Sequence, residues 1–289
     1  MNAAAPTWYA PPPEPPQPEP GAGWPRWLIV GTVLWAVLLA ALTWRSARND
    51  EPTVREQRSL SEAVPVVDRA IGALVAAAGA EPVVLLGPDR LDEGCRITPF
   101  ADGAVLARTV EVVGASDDVA PLLERVADGL PAEYQARVRP SDRGLRLRAD
   151  AGEFVTVTGE ADGPGRVRFT VDTGCRPLGG HRPESAPAVG PEADALRRVL
   201  ATLDRPEAAP PELLTTRCPD GDRRARTVRV STAPGVDPSA ARTSDAAGTV
   251  VLDTPEVYAY RTGPVTVVVD HADDGVRLAA ATGCTPDGS

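Results

Sequence analysis

Between Trp27 and Trp44 the chain carries no charged residue and is apolar almost throughout, and no other stretch of it is both uncharged and long enough to cross a bilayer. A helix rises about 1.5 Å per residue and a hydrocarbon core is about 30 Å thick, so roughly eighteen residues stand near the lower limit for a span. Trp24, Trp27 and Trp44 sit where interfacial aromatics belong. The run follows an acidic, proline-rich segment and ends in Thr43-Trp44-Arg45. It lacks the short basic start and small-residue cleavage site of a secretory signal, which predicts an uncleaved signal anchor, a transmembrane helix over residues 26–45. Residues 1–25 read as a disordered proline-rich tail that favours polyproline II, and 46–61 as a polar stalk.

Beyond the stalk the same features occur twice in the same order. Leu196, Val199, Leu200 and Leu203 repeat the i, i+3, i+4, i+7 spacing of Ile71, Leu74, Val75 and Ala78, and Cys218 follows them as Cys95 follows the earlier set. Ala225-Arg-Thr-Val-Arg-Val230 matches Ala107-Arg-Thr-Val-Glu-Val112. Val276-Arg-Leu then Thr282-Gly-Cys284-Thr-Pro286 matches Val167-Arg-Phe then Thr173-Gly-Cys175-Arg-Pro177. Five recurring features in one order predict a duplicated ectodomain, with copy 1 over 62–177, a Gly/Pro linker over 178–191 and copy 2 over 192–286.

The fold class expected is α+β: a single N-terminal transmembrane helix, then two tandem related domains, each a helix packed on an antiparallel meander sheet. In copy 1, Ser59-Leu-Ser-Glu62 reads as a capping box, with Pro65 in the first turn and Gly79 as the stop. A second helix, capped by Ser116 or Asp117, presents Val119, Leu122, Leu123 and Val126. Strands are predicted at 83–86, near Cys95, and over 104–113, 134–139, 145–148, 154–158 and 166–171, with turn residues between the later ones. In copy 2 the middle helix shrinks to a weak start at Asp237.

Four cysteines allow three pairings, and the duplication selects Cys95 with Cys175 and Cys218 with Cys284. Each bridge would close a loop of roughly 65 to 80 residues, for which chain entropy gives at most about 4 to 4.5 kcal/mol. Disulfides persist outside the cytoplasm, which sets the tail in the cytoplasm and the C-terminal domains outside it, at a cell membrane. The positive-inside rule points the other way, with Arg26 on one flank against Arg45, Arg48, Arg55 and Arg58 on the other. The cysteine argument is given precedence.

All 30 basic residues are arginine, so a Schiff-base or phosphate-loop lysine and a Ser-Lys dyad are excluded. A net charge of −10 argues against nucleic acid as a partner, and the scarcity of aromatics beyond the apolar run argues against stacking platforms. His181 lies in the linker and His271 in a hairpin turn, neither placed as a general base. Without a Cys-x-x-Cys or a calcium-loop spacing in the Asp270, Asp273, Asp274 turn, no metal and no cofactor are predicted.

The chemistry that remains is a basic sheet face. If Leu145, Leu147, Val167, Phe169 and Val171 point to the helices, then Arg146, Arg148, Arg166 and Arg168 lie opposite, with Arg137 and Arg139 joining them. The function expected is a non-enzymatic binding or accessory module of the cell envelope, held in the membrane by residues 27–44 and docking an envelope protein or anionic polymer on that face. The alternative is an envelope hydrolase using carboxylates, for which Asp89, Asp92 and Glu93 are the nearest cluster.

Overall fold

The uncharged run folds as one helix, α1 (Arg26–Asn49), which includes the first residues of the expected stalk. Its window Arg26–Arg45, with a mean hydropathy of 2.1, is long and apolar enough to cross a membrane. Side chains from Arg26 to Arg45 are exposed. The hydroxyls of Thr32 and Thr43 donate to carbonyls one turn back, at Leu28 and Leu39, so these polar side chains are satisfied within the helix. The structure is a computed structural model and describes residues 26–49, 58–115, 118–180, 186–203, 210–231, 248–272 and 275–284. The proline-rich tail, His181, the Ser116 and Asp117 caps, the Asp237 helix start and Asp273 and Asp274 lie outside the described residues.

Residues Pro52–Ser289 form one unit, distinct from the one that holds α1. Its first helix, α2 (Leu60–Ala78), starts at the capping box: the Ser59 amide donates to Glu62 Oε2 at 2.7 Å and the Ser59 hydroxyl at 2.8 Å. The hydrogen bonds from the Ser59 amide and then its hydroxyl, helped by the Arg58 charge and opposed by burial, hold the Glu62 carboxyl below its ordinary range. Pro65 lies in the second turn rather than the first, inside the helix, while Gly79 ends it at φ 80°.

Two antiparallel sheets follow, giving a mixed α+β architecture. Sheet A contains β1 (Val83–Leu86), β2 (Arg90–Thr98), β3 (Ala101–Val113), β4 (Arg137–Ser141), β5 (Gly144–Asp150), β6 (Thr156–Ala161) and β7 (Arg166–Asp172). Its order is β1-β3-β7-β6-β5-β4, and β2 pairs with the start of β3 on the side where β1 pairs with its end. Helix α3 (Ala120–Gly129) joins β3 to β4 and buries Leu122, Leu123 and Val126. Sheet B contains β8 (Ala186–Pro187), β9 (Glu212–Arg217), β10 (Arg224–Ser231), β11 (Thr249–Asp253), β12 (Val257–Thr262), β13 (Val265–Ala272) and β14 (Gly275–Thr282), preceded by α4 (Pro191–Thr202) between β8 and β9. The expected linker therefore contributes an edge strand, β8, paired with Leu213 and Glu212.

Reading outward from β2, which holds Cys95, and from β9, which ends just before Cys218, sheet A runs β2-β3-β7-β6-β5-β4 and sheet B runs β9-β10-β14-β13-β12-β11. These six strands match in order, whereas β1, beside β3, and β8, beside β9, have no counterpart in the other sheet. The register does not match: Val110 faces Phe169, whereas Val230, which matches Val112 in the sequence motif, faces Leu278, the match of Phe169. A slip of two residues preserves which side chains point to which face. Bridges join Cys95 to Cys175 and Cys218 to Cys284, the pairing expected from the recurring sequence features.

The layers run helices, sheet, sheet, helix. Val110, Val112, Leu147, Val157, Val167, Phe169 and Val171 pack under α2 and α3. Val228, Val230, Val267, Val269, Leu278 and Ala280 pack under α4. The opposite faces meet where Val83, Leu85 and Val113 press on Val257, Ala259, Val268, Ala279 and Ala281. Two strands start later than expected: the one expected from Tyr134 begins at Arg137, because Ala132–Tyr134 forms a 3-10 turn and Gln135 adopts a left-handed φ of 49°, and the one expected from Phe154 begins at Thr156, because Glu153 and Phe154 adopt left-handed φ of 50° and 62° in a turn.

Candidate functional site

Strand alternation carries one set of side chains to the face of sheet A away from α2 and α3. Across β4, β5, β6, β7 and β3 the register aligns Arg137, Arg148, Thr158, Thr170 and Thr109 in one row. The next row is Arg139, Arg146, Glu160, Arg168 and Glu111. All six arginines singled out from the sequence lie on this face, but they divide into two groups.

Three are neutralised. Arg146 pairs with Glu160 beside it. Arg168 reaches Asp162 at 2.6 Å and Glu111 at 3.4 Å. Arg166 is buried and pairs across the sheet–sheet interface with Asp270 at 3.2 Å, a carboxylate that also takes Arg277 at 2.7 Å. Arg166 is thus a structural ion pair between the two halves and unavailable as a surface contact.

Arg137, Arg139 and Arg148 are exposed and make no ion pair among the described residues. Arg137 stands directly opposite Arg148 and Arg139 directly opposite Arg146, and Arg143 adds a further exposed cation in the β4–β5 turn. Like charges in directly opposed positions destabilise a hairpin. β4 ends sheet A, so this cluster sits on an edge strand.

Toward the other margin the same face runs into an open cleft of about 500 Å³ between the sheets. Arg90, Arg168 and Glu111 line it from sheet A, and Glu212, Arg229 and Arg277 from sheet B. The Arg229 guanidinium donates to the Leu86 carbonyl at 3.3 Å and has no carboxylate within ion-pair distance among the described residues. Burial first, and after it the Arg277 charge, push its pKa down, with Glu111, Glu212 and Asp270 acting in the opposite sense. The sequence argument missed Arg229 and Arg277. Their signal was present in the motif match, where Arg229 stands in the place of Glu111 and Arg277 in that of Arg168.

Of the three acids near Cys95, Glu93 is exposed on β2 and unpaired among the described residues, while the other two are held by arginines. Asp89, with Asp68 from α2, is held by Arg108, which bonds Asp89 through Nε and at 2.7 Å through its second terminal nitrogen. Burial lowers the Arg108 pKa, but the bonds and charges of Asp89 and then Asp68 outweigh it and raise the value overall. Asp92 pairs with Arg90 at 3.0 Å. His271 lies in β13 opposite Val276. Among the described residues no cluster of His, Cys, Asp and Glu is arranged to hold a metal ion. Comparison with protein families, curated proteins and solved structures finds no match to this chain.

Proposed function

We propose that the chain is a single-pass membrane protein whose duplicated, disulfide-bonded C-terminal region is a non-enzymatic binding module outside the cytoplasm, docking an anionic polymer of the cell envelope. The observation that carries it is the pair of directly opposed arginine couples on the edge hairpin β4–β5, Arg137 with Arg148 and Arg139 with Arg146, of which all but the half-buried Arg146 are exposed. Four cations on one hairpin face, of which only Arg146 has a carboxylate among the described residues, suit a ligand whose negative charges repeat at strand spacing. The matching strand orders support duplication. The apolar α1 supports anchoring, and the two disulfides support the extracytoplasmic side. A carboxylate hydrolase is disfavoured because Asp89, Asp68 and Asp92 are each tied to an arginine rather than converging on free space.

The test is fluorescence anisotropy of labelled poly-L-glutamate and labelled polyphosphate with the full chain in detergent micelles. Binding that weakens with salt, and at least tenfold in Arg137→Glu/Arg148→Glu, is the expected outcome. Equal affinity in the charge-reversed variant, or no binding of either polymer, would remove the hairpin as the docking surface.

A further inference from the structure

The inter-sheet cleft holds positive charge that the described protein does not fully answer. Arg168 meets both of its carboxylates through one terminal nitrogen, as does Arg277 with Asp270, so neither guanidinium presents its two-pronged edge to a protein acid. The Nε atoms of both are buried without a hydrogen-bond partner. Arg229, between them on β10, has only the Leu86 carbonyl. An unpaired cation away from bulk water is costly unless something offsets it. Arg229 stands opposite Glu212 of β9 without forming an ion pair to it, and Arg277 shares the Asp270 carboxylate with Arg166. Arg168, Arg229 and Arg277 meet on the wall of a cleft of about 500 Å³, which Glu111 and Glu212 also line.

We propose that this cleft is a binding site for a small oxyanion, a phosphate or carboxylate group clamped between Arg168 of sheet A and Arg229 and Arg277 of sheet B. Planar guanidinium groups bind such anions in bidentate fashion. Because the clamp draws on both sheets, occupancy would also tighten the junction between the two halves. The site is separate from the β4–β5 hairpin and stands or falls independently of it.

The test is thermal unfolding of the full chain in detergent with inorganic phosphate or sodium sulfate, against sodium chloride at matched ionic strength. A saturable rise of about 3 °C at tenfold excess over the dissociation constant is expected for the wild type. Arg229→Met should unfold at a higher temperature than the wild type in chloride, because the unpaired cation is gone, and should lose the saturable shift. Arg137→Glu/Arg148→Glu should keep it. Calorimetric titration of the wild type with phosphate, expected to give one site per chain, reads the same question should the variant fail to fold. No saturable shift and no calorimetric site in the wild type, or an undiminished shift in Arg229→Met, would overturn the proposal.

Discussion

Arg176 is the largest of the fully buried side chains, and what it does there is hold backbone. Its Nε donates to the Thr173 carbonyl at 2.9 Å and a terminal nitrogen to the Glu153 carbonyl at 2.5 Å. Glu153 and Phe154 sit at left-handed φ, which non-glycine residues rarely adopt, so the turn between β5 and β6 depends on an external bond to keep it. The sequence places Arg176 inside Thr-Gly-Cys-Arg-Pro but cannot show that its charge is inward, since arginine is ordinarily a surface residue. Arg176→Ala should lower stability by about 2–3 kcal/mol, the worth of hydrogen bonds made by a charged donor in a buried site. Denaturant unfolding followed by circular dichroism reads the loss. An unchanged midpoint would mean that water replaces the guanidinium without cost and that the turn holds itself.

At the scale of elements, the periodic ones were legible and the contacts between them were not. Ile71, Leu74, Val75 and Ala78 give α2 its core stripe and are buried as the spacing requires. The alternation of β4, β5 and β7 places six arginines on one face for the same reason. Which of those arginines keep free charge depends on Glu160, Asp162, Glu111 and Asp270, which only the strand register, the β6–β7 turn and the packing of the two sheets bring beside them. Periodicity also hides the second face of α2. Gly72 and Ala73 are buried too, because β9 crosses there: a methyl group on Gly72 would collide with the Arg217 carbonyl oxygen, and Thr216 Oγ1 donates to the Asp68 carbonyl at 3.3 Å. Gly72→Ala should therefore destabilise by about 1–3 kcal/mol, although alanine is favoured over glycine in a helix by about 1 kcal/mol. A rise in melting temperature instead would show that α2 and β9 can move apart without loss.

On the scale of the whole molecule, duplication of sequence suggests two independent modules, in which loss of the Cys95 bridge harms the first half and spares the second. The packing argues for shared stability. Cys218 and Cys284 are buried in the same apolar cluster as α2, and Val83, Leu85 and Val113 of sheet A lie against Ala279 and Ala281 of sheet B. Burial of apolar surface across this junction and the Arg166–Asp270 pair link the halves, since a buried ion pair that loses one partner costs several kcal/mol. The bridge of the second half consequently braces the first helix of the first half. Replacing Cys218 and Cys284 together by alanine should lower amide-exchange protection in α2 as well as in β9, β10 and β14. Measured on the full chain in detergent by hydrogen exchange with mass spectrometry, the Cys218→Ala/Cys284→Ala variant should also retain a single unfolding transition at lower temperature. Loss of protection confined to residues 192–284, with α2 untouched, would instead mean that the two halves unfold separately and that their contact contributes little to either.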